Sequence, residues 1–158
     1  MNAYVFSKQT LVLALFSGVS IGCAIYFSDR LFFQGSIFSG MHPPRWVGVL
    51  ASLYGGVNEE VLLRLFLFTL IYFLAAKGVK NRIFNLWCVN LIVALFFGAL
   101  HLPFSFKMGS LTGFEIFRIL FLNGIGSLVF GWLYWTRGLW AAMIAHFAAD
   151  LMIHVVLF

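Results

Sequence analysis

The chain has 158 residues, of which 63% are hydrophobic and 9% charged, and its mean hydropathy is +1.01. A soluble domain carries roughly a quarter charged residues, so this composition excludes a soluble domain of any size. The formal net charge of +5 comes from Lys and Arg strung between apolar runs, with no basic patch, which excludes a nucleic-acid partner and fits the distribution of basic residues around membrane helices.

A helix crosses the bilayer core in about 20 residues, which leaves room for about five crossings. The first apolar run, Thr10 to Phe27, follows Lys8 and ends at Ser28-Asp29-Arg30. It is long for a signal peptide and lacks a clean small-x-small cleavage site, so it reads as a retained first helix. Leu31 to Pro44 is aromatic and Gly-rich and closes on Pro43-Pro44, a pair that helices do not easily pass; it reads as a connection at the membrane interface. Trp46 to Ala76 would measure about 46 Å as a helix against a core of about 30 Å. It must tilt, or break near Gly55-Gly56. Lys77, Lys80 and Arg82 then mark a short basic loop.

A third span is expected from Ile83 to His101, stopping at Pro103, with a loop from Lys107 to Thr112. The fourth runs from Phe114 to Trp135 and the last from Leu139 to Phe158. Cys23 and Cys88 both lie in apolar runs and frame neither a disulfide nor a metal site. The expected fold is an all-α, polytopic membrane helical bundle of about five transmembrane helices, with a site between helices. Residues 1–44 are expected to form the first helix and its connection, and residues 45–158 the membrane domain that carries the site. Five crossings put the N-terminus, the Lys77–Arg82 loop and Arg137 on one side. That side carries the greater basic charge, which favours a cytoplasmic N-terminus.

Ionisable side chains at bilayer depth cost on the order of 2.5–3.5 kcal/mol each, so each needs a reason. Glu60 and Arg64 are i, i+4 with the acid first, the favourable order for a helical ion pair. Glu59 is turned about 100° away and is left to face a cavity. His101 closes the third span. His146 and Asp150 share a face at i, i+4, and His154 repeats that spacing beyond Asp150. Three helices thus bring acids and bases into one apolar setting, where they can polarise water for attack on a carbonyl or hold a metal. Glu60–Arg64 reads equally well as a structural pair, and His154 as an interhelical hydrogen-bonding group. Glu115 and Arg118, at the start of a span, read as interfacial. Gly124, Gly126 and Gly131 read as close-packing positions.

Glu59-Glu60-x-x-x-Arg64, Phe97-x-x-x-His101 and His146-x-x-x-Asp150 together resemble the three motifs of the CPBP (Abi) family, which includes the type II CAAX prenyl endopeptidases and bacteriocin-processing or immunity proteins. The approach from Gly131 through Gly138 to Ala142 is similar too, and the resemblance covers about Leu50 to Phe158. It implies a multi-pass intramembrane endopeptidase of the glutamate type. By that likeness Glu59 is the general base aided by His101, His146 and Asp150 stabilise the oxyanion, and Glu60 and Arg64 support them. The family was first described as metalloproteases. Two His and two Glu could hold zinc, but no zinc signature such as His-Glu-x-x-His is present, and no cofactor is expected.

Departures from the family pattern bear on function. Leu63-Arg64-Leu65 stands where Phe-Arg-Gly is common. Asp150 stands where the prenyl endopeptidases have Asn, and an ionised Asp cannot donate to an oxyanion; Asp150 is therefore protonated or serves to orient His146. The short chain points away from a prenylated CAAX substrate and toward a bacterial membrane protein or peptide, handled in the cell (inner) membrane. Two other classes remain open: a non-catalytic immunity or scaffold protein of the same family, and a small transporter or proton path.

Overall fold

The computed structural model describes residues 7–38 and 44–157. Residues 39–43 of the Leu31–Pro44 connection and Phe158, the end of the last span, lie outside them. All regular structure among the described residues is helical: α1 (Lys8–Phe32), α2 (Arg45–Tyr54), α3 (Thr69–Ala75), α4 (Arg82–Leu100), α5 (Leu102–Met108), α6 (Gly113–Arg137) and α7 (Leu139–Leu151). Side-chain caps start three of them. Ser7, Asn81 and Thr112 accept hydrogen bonds from the backbone N–H groups of Thr10, Phe84 and Glu115, each satisfying an otherwise orphaned helix donor.

The long second run does not break at Gly55-Gly56. The helix continues from α2 to α3 through two π-helical stretches, Gly55–Glu59 and Val61–Phe68. A π turn holds an extra residue and rotates everything beyond it relative to an α-helix; such turns recur at functional sites. Glycine's low helix propensity makes Gly55-Gly56 a place where that widening is cheap. A third π turn, Met152–Val156, extends α7.

Pro103 also fails to end its helical run. It lies in the first turn of α5, where its missing N–H leaves no hydrogen bond unmade, so the chain only bends at His101. Lys107, read as loop, is in the last turn of α5. Four helical segments are long and apolar enough to cross a membrane: Lys8–Phe32, Arg82–Met108, Gly113–Arg137 and Leu139–Val156. With the Arg45–Ala75 run these make the five helical passes read from the sequence, and the fold is an all-α membrane bundle.

Helix α7 is the hub and packs against α1, α2, α6 and the first π stretch. Small residues make this possible. A Cβ on Gly18 would strike the Ala145 carbonyl oxygen, and one on Gly22 would lie 2.7 Å from that of Ala149, so α1 and α7 meet backbone to backbone. The turn from α6 to α7 needs Gly138, at φ 93°, a region that side chains disfavour. The core centres on Ala14, Phe130, Leu133, Ala141, Ala142 and Ala145; a second cluster, Leu63, Phe68, Leu86, Val89, Val93 and Phe97, joins the second π stretch to α4. The large side chains that remain exposed, among them Phe16, Trp46, Phe73 and Phe104, form the apolar outer surface that a bilayer covers.

Candidate active site

The deepest polar feature begins with Arg64, whose side chain is 0% exposed. A buried guanidinium must spend its donors on protein acceptors. Nε donates to Glu60 Oε2 at 3.1 Å, and one terminal nitrogen donates to Ser127 Oγ at 2.6 Å and to the Ser127 carbonyl at 3.1 Å. The spacing-predicted pair is therefore present, and Ser127 of α6 adds two further acceptors, while the other terminal nitrogen has no hydrogen-bond partner among the described residues.

Glu60 is not committed to Arg64 alone. Its other oxygen, Oε1, lies 2.9 Å from His146 Nδ1. A carboxylate held by a guanidinium only accepts, so Nδ1 carries the proton. That leaves Nε2 as the nitrogen pointing away from Glu60. It lies 3.6 Å from Asp150 Oδ2 and 3.9 Å from Glu59 Oε2, both beyond direct hydrogen-bond distance and suited to a small group held between them. Two adjacent glutamates thus straddle one ring, Glu60 at Nδ1 and Glu59 toward Nε2.

Burial separates their roles. Glu60 is 0% exposed, whereas the side chains of Glu59 and Asp150 are 28% and 20% exposed. The His146 ring stacks on Phe130 at 4.5 Å between centroids and meets the edge of Phe97 at 5.8 Å. Gly55 supplies the room: a Cβ there would sit 2.9 Å from Asp150 Oδ2 and 3.2 Å from His146 Nε2.

His101 arrives from the α4–α5 bend. Its Nδ1 lies 2.9 Å from the Phe97 carbonyl, which can only accept, so Nδ1 donates and Nε2 is the free nitrogen. Glu59, His101, His146 and Asp150 all line one cavity of about 400 Å³. His154 lines it as well, rather than serving only to tie helices together. As for a metal, among the described residues no three His, Cys, Asp or Glu side chains converge as ligands would. Nδ1 of each histidine is spent on a protein acceptor, which leaves Nε2 of each as the free nitrogen.

Several site residues were not singled out by the sequence. Ser127 anchors Arg64, Phe130 floors His146, and Asn123 lines the cavity, as does Arg118, which the sequence places at the interface. The signal for Ser127 was indirect: a guanidinium has five donors, so a buried Arg64 needed more acceptors than Glu60 offers. Glu115, expected at the interface, is 3% exposed. It accepts from the Ile37 N–H at 3.1 Å and from the Thr112 hydroxyl, tying the connection after α1 to the start of α6. Arg118 is likewise engaged, with Asp29 of α1.

No match is found among curated proteins or among solved structures. Residues 41–152 match a family described as type II CAAX prenyl endopeptidase Rce1-like. The match takes in all three motifs and all of the α2–α7 helices that build the cavity. With that match and its several apolar spans, this chain is a multi-pass membrane protein that belongs to the Rce1-like family of type II CAAX prenyl endopeptidases, a family of intramembrane CAAX-type proteases.

Proposed function

We propose that the chain hydrolyses a peptide bond in a membrane protein or membrane-associated peptide, using water activated by Glu59 and His101. The observation that carries this reading is the single cavity lined by Glu59, His101, His146 and Asp150, with His146 locked from behind by Glu60. Glu59, the partly exposed acid, removes a proton from the attacking water. The free Nε2 of His101 aligns that water. The new C–O bond forms as the carbonyl oxygen takes up negative charge. His146, protonated on both nitrogens in this step, donates from Nε2 to that oxygen. The C–N bond then breaks, and the proton held by Glu59 passes to the leaving amine.

This scheme gives Asp150 a role its chemistry allows. An ionised Asp cannot donate to an oxyanion, but beside Nε2 it sustains the charge of His146, as Glu60 does at Nδ1. Asp150 is then a positioning residue, and Asp150→Asn keeps shape while exchanging charge for a donor. Apolar cavity walls at Ile25, Ile119, Leu122 and Ile153 suit a hydrophobic segment. A bacterial membrane substrate in the cell membrane is the class proposed, with no metal in the reaction.

The test is to compare the membrane proteome, and cleavage of candidate substrates, between the parent and Glu59→Gln and His101→Ala strains. Both variants are expected to accumulate in the membrane and to lose cleavage by at least about 100-fold, within the usual contribution of a general base. Normal processing by Glu59→Gln would sink the proposal. A phenotype that survives Glu59→Gln without any processed product would assign the chain to the immunity or scaffold class instead.

A further inference from the structure

A peptide drawn into the cavity brings its polar main chain with it. Each N–H and C=O that leaves water for an apolar site without a partner costs affinity. A sheet edge would meet that need by taking the peptide as an added strand. The walls of this cavity are helices, which bond their backbone groups internally and offer no such row of free N–H and C=O groups. Partners for a bound main chain must therefore come from side chains.

Few lining side chains are free for this. The four reacting groups are committed, and Arg118 is held by Asp29. Tyr54, Asn123 and His154 remain. A phenol has its donor and acceptor on one atom, and an imidazole has them on opposite sides of its ring. Only Asn123 carries them side by side on a planar group, as needed to meet the N–H and C=O of one extended residue, which point the same way. Its Nδ2 donates to the Ile119 carbonyl at 2.8 Å, which fixes the orientation of the amide; Oδ1 and the second N–H have no partner among the described residues. Asn123 stands seven residues before Phe130, the floor of His146. That is about 10 Å along α6, or about three residues of extended chain. A Cβ on Gly98 would lie 3.0 Å from Leu120 Cα, so Asn123 is level with the turn of α4 that carries Phe97. The Phe97 ring lies 4.8 Å from that of His101 and 5.8 Å from that of His146.

The geometry points to Asn123 as a main-chain clamp that holds one extended residue of the substrate, about three residues from the scissile bond. Oδ1 accepts that residue's N–H, and the free N–H of Nδ2 donates to its carbonyl. This rests on the cavity being a peptide-hydrolysing site. The substrate is then unwound at the clamped residue, because a helix keeps those two groups for itself. The clamped residue is also not proline, which has no N–H to give.

The test uses the full chain in neutral-lipid nanodiscs as Glu59→Gln, so that nothing is turned over. The probe is a dansyl-labelled decapeptide of non-repeating Ala, Leu, Val and Phe. Fluorescence titration compares it with a series in which one amide N–H at a time is replaced by an ester oxygen. One ester is expected to weaken binding about tenfold, as an acceptor left unpaired in the site does, and the others by less than about threefold. Adding Asn123→Leu should weaken the all-amide peptide by about the same factor and make binding indifferent to that ester. Asn123→Thr should do the same. A threonine hydroxyl still bonds the carbonyl four residues back, so this variant keeps the helix bond and removes only the carboxamide.

Absence of binding, equal effects of every ester, or an ester effect that persists in both Asn123 variants overturns the clamp. In the last case the carboxamide only bonds its own helix. The parent protein is assayed in parallel for cleavage of the all-amide decapeptide, with the cut located by mass spectrometry and expected about three residues from the sensitive amide. Cleavage together with any of the overturning results leaves the hydrolysis reading standing without the clamp. An ester effect that disappears with Asn123, while the parent cuts nothing, would remove the hydrolysis reading and leave the clamp as a peptide-binding contact.

Discussion

Glu59 and Glu60 are neighbours in the chain, yet the fold treats them as different kinds of residue. Glu60 is sealed between Arg64 and His146, and Glu59 opens on the cavity. Their amide variants should therefore separate stability from activity. Glu60→Gln leaves a buried guanidinium short of its anion, which costs about 3–5 kcal/mol, so thermal unfolding in detergent should shift down together with activity. Glu59→Gln should unfold within about 0.5 kcal/mol of the parent, as a partly exposed site allows, while cleavage is lost. Gly55→Ala tests geometry without touching charge. With Asp150 Oδ2 2.9 Å and His146 Nε2 3.2 Å from the new methyl, both side chains must shift. A fall in kcat of at least about tenfold is expected, since misplacement on the order of 1 Å costs that much or more.

Among the elements, the widened second helix and the small-residue seam between α1 and α7 do most to place the site. The π turns at Gly55–Glu59 and Val61–Phe68 rotate the Glu59–Arg64 segment so that both glutamates face His146 of α7 and the guanidinium reaches Ser127 of α6. The seam at Gly18 and Gly22 holds α1 close enough for Ile25 to reach the cavity. Replacing Gly22 by Leu should push α1 off α7 and destabilise the bundle by about 1–3 kcal/mol, the usual cost of overpacking. Because Ile25 recedes with it, KM should rise more than kcat falls. A loss confined to kcat would place α1 outside the substrate path.

For the molecule as a whole, five helical passes place the Lys77–Arg82 loop and the Lys107–Thr112 segment on opposite faces of the bilayer. In a chain with Cys23 and Cys88 replaced by Ala, a membrane-impermeant thiol reagent should label Val79→Cys only from the cytoplasmic side and Ser110→Cys only from the other. Labelling of both from one side would contradict the five-pass arrangement. Labelling with the sides exchanged would reverse the orientation inferred from basic residues.

The sequence by itself determined the membrane class, the approximate spans and the local pairings. Composition sets the solvent a chain can tolerate, and the helical period sets which residues share a face within one helix. Hence Glu60–Arg64 and His146–Asp150, each i, i+4, were readable, as was the set of acids and bases lining the site. Spacing assigns Glu60 to Arg64, and the family resemblance pairs Glu59 with His101. Only the tertiary structure showed that Glu60 also holds His146, 86 residues away. It likewise decided that Ser127 accepts from Arg64 and that Arg118 meets Asp29 across 89 residues. Such contacts depend on helix rotation and approach. Here these are set by π turns that mimic ordinary helix in sequence, by a proline that bends its run without ending it, and by glycines whose role is the neighbour they admit.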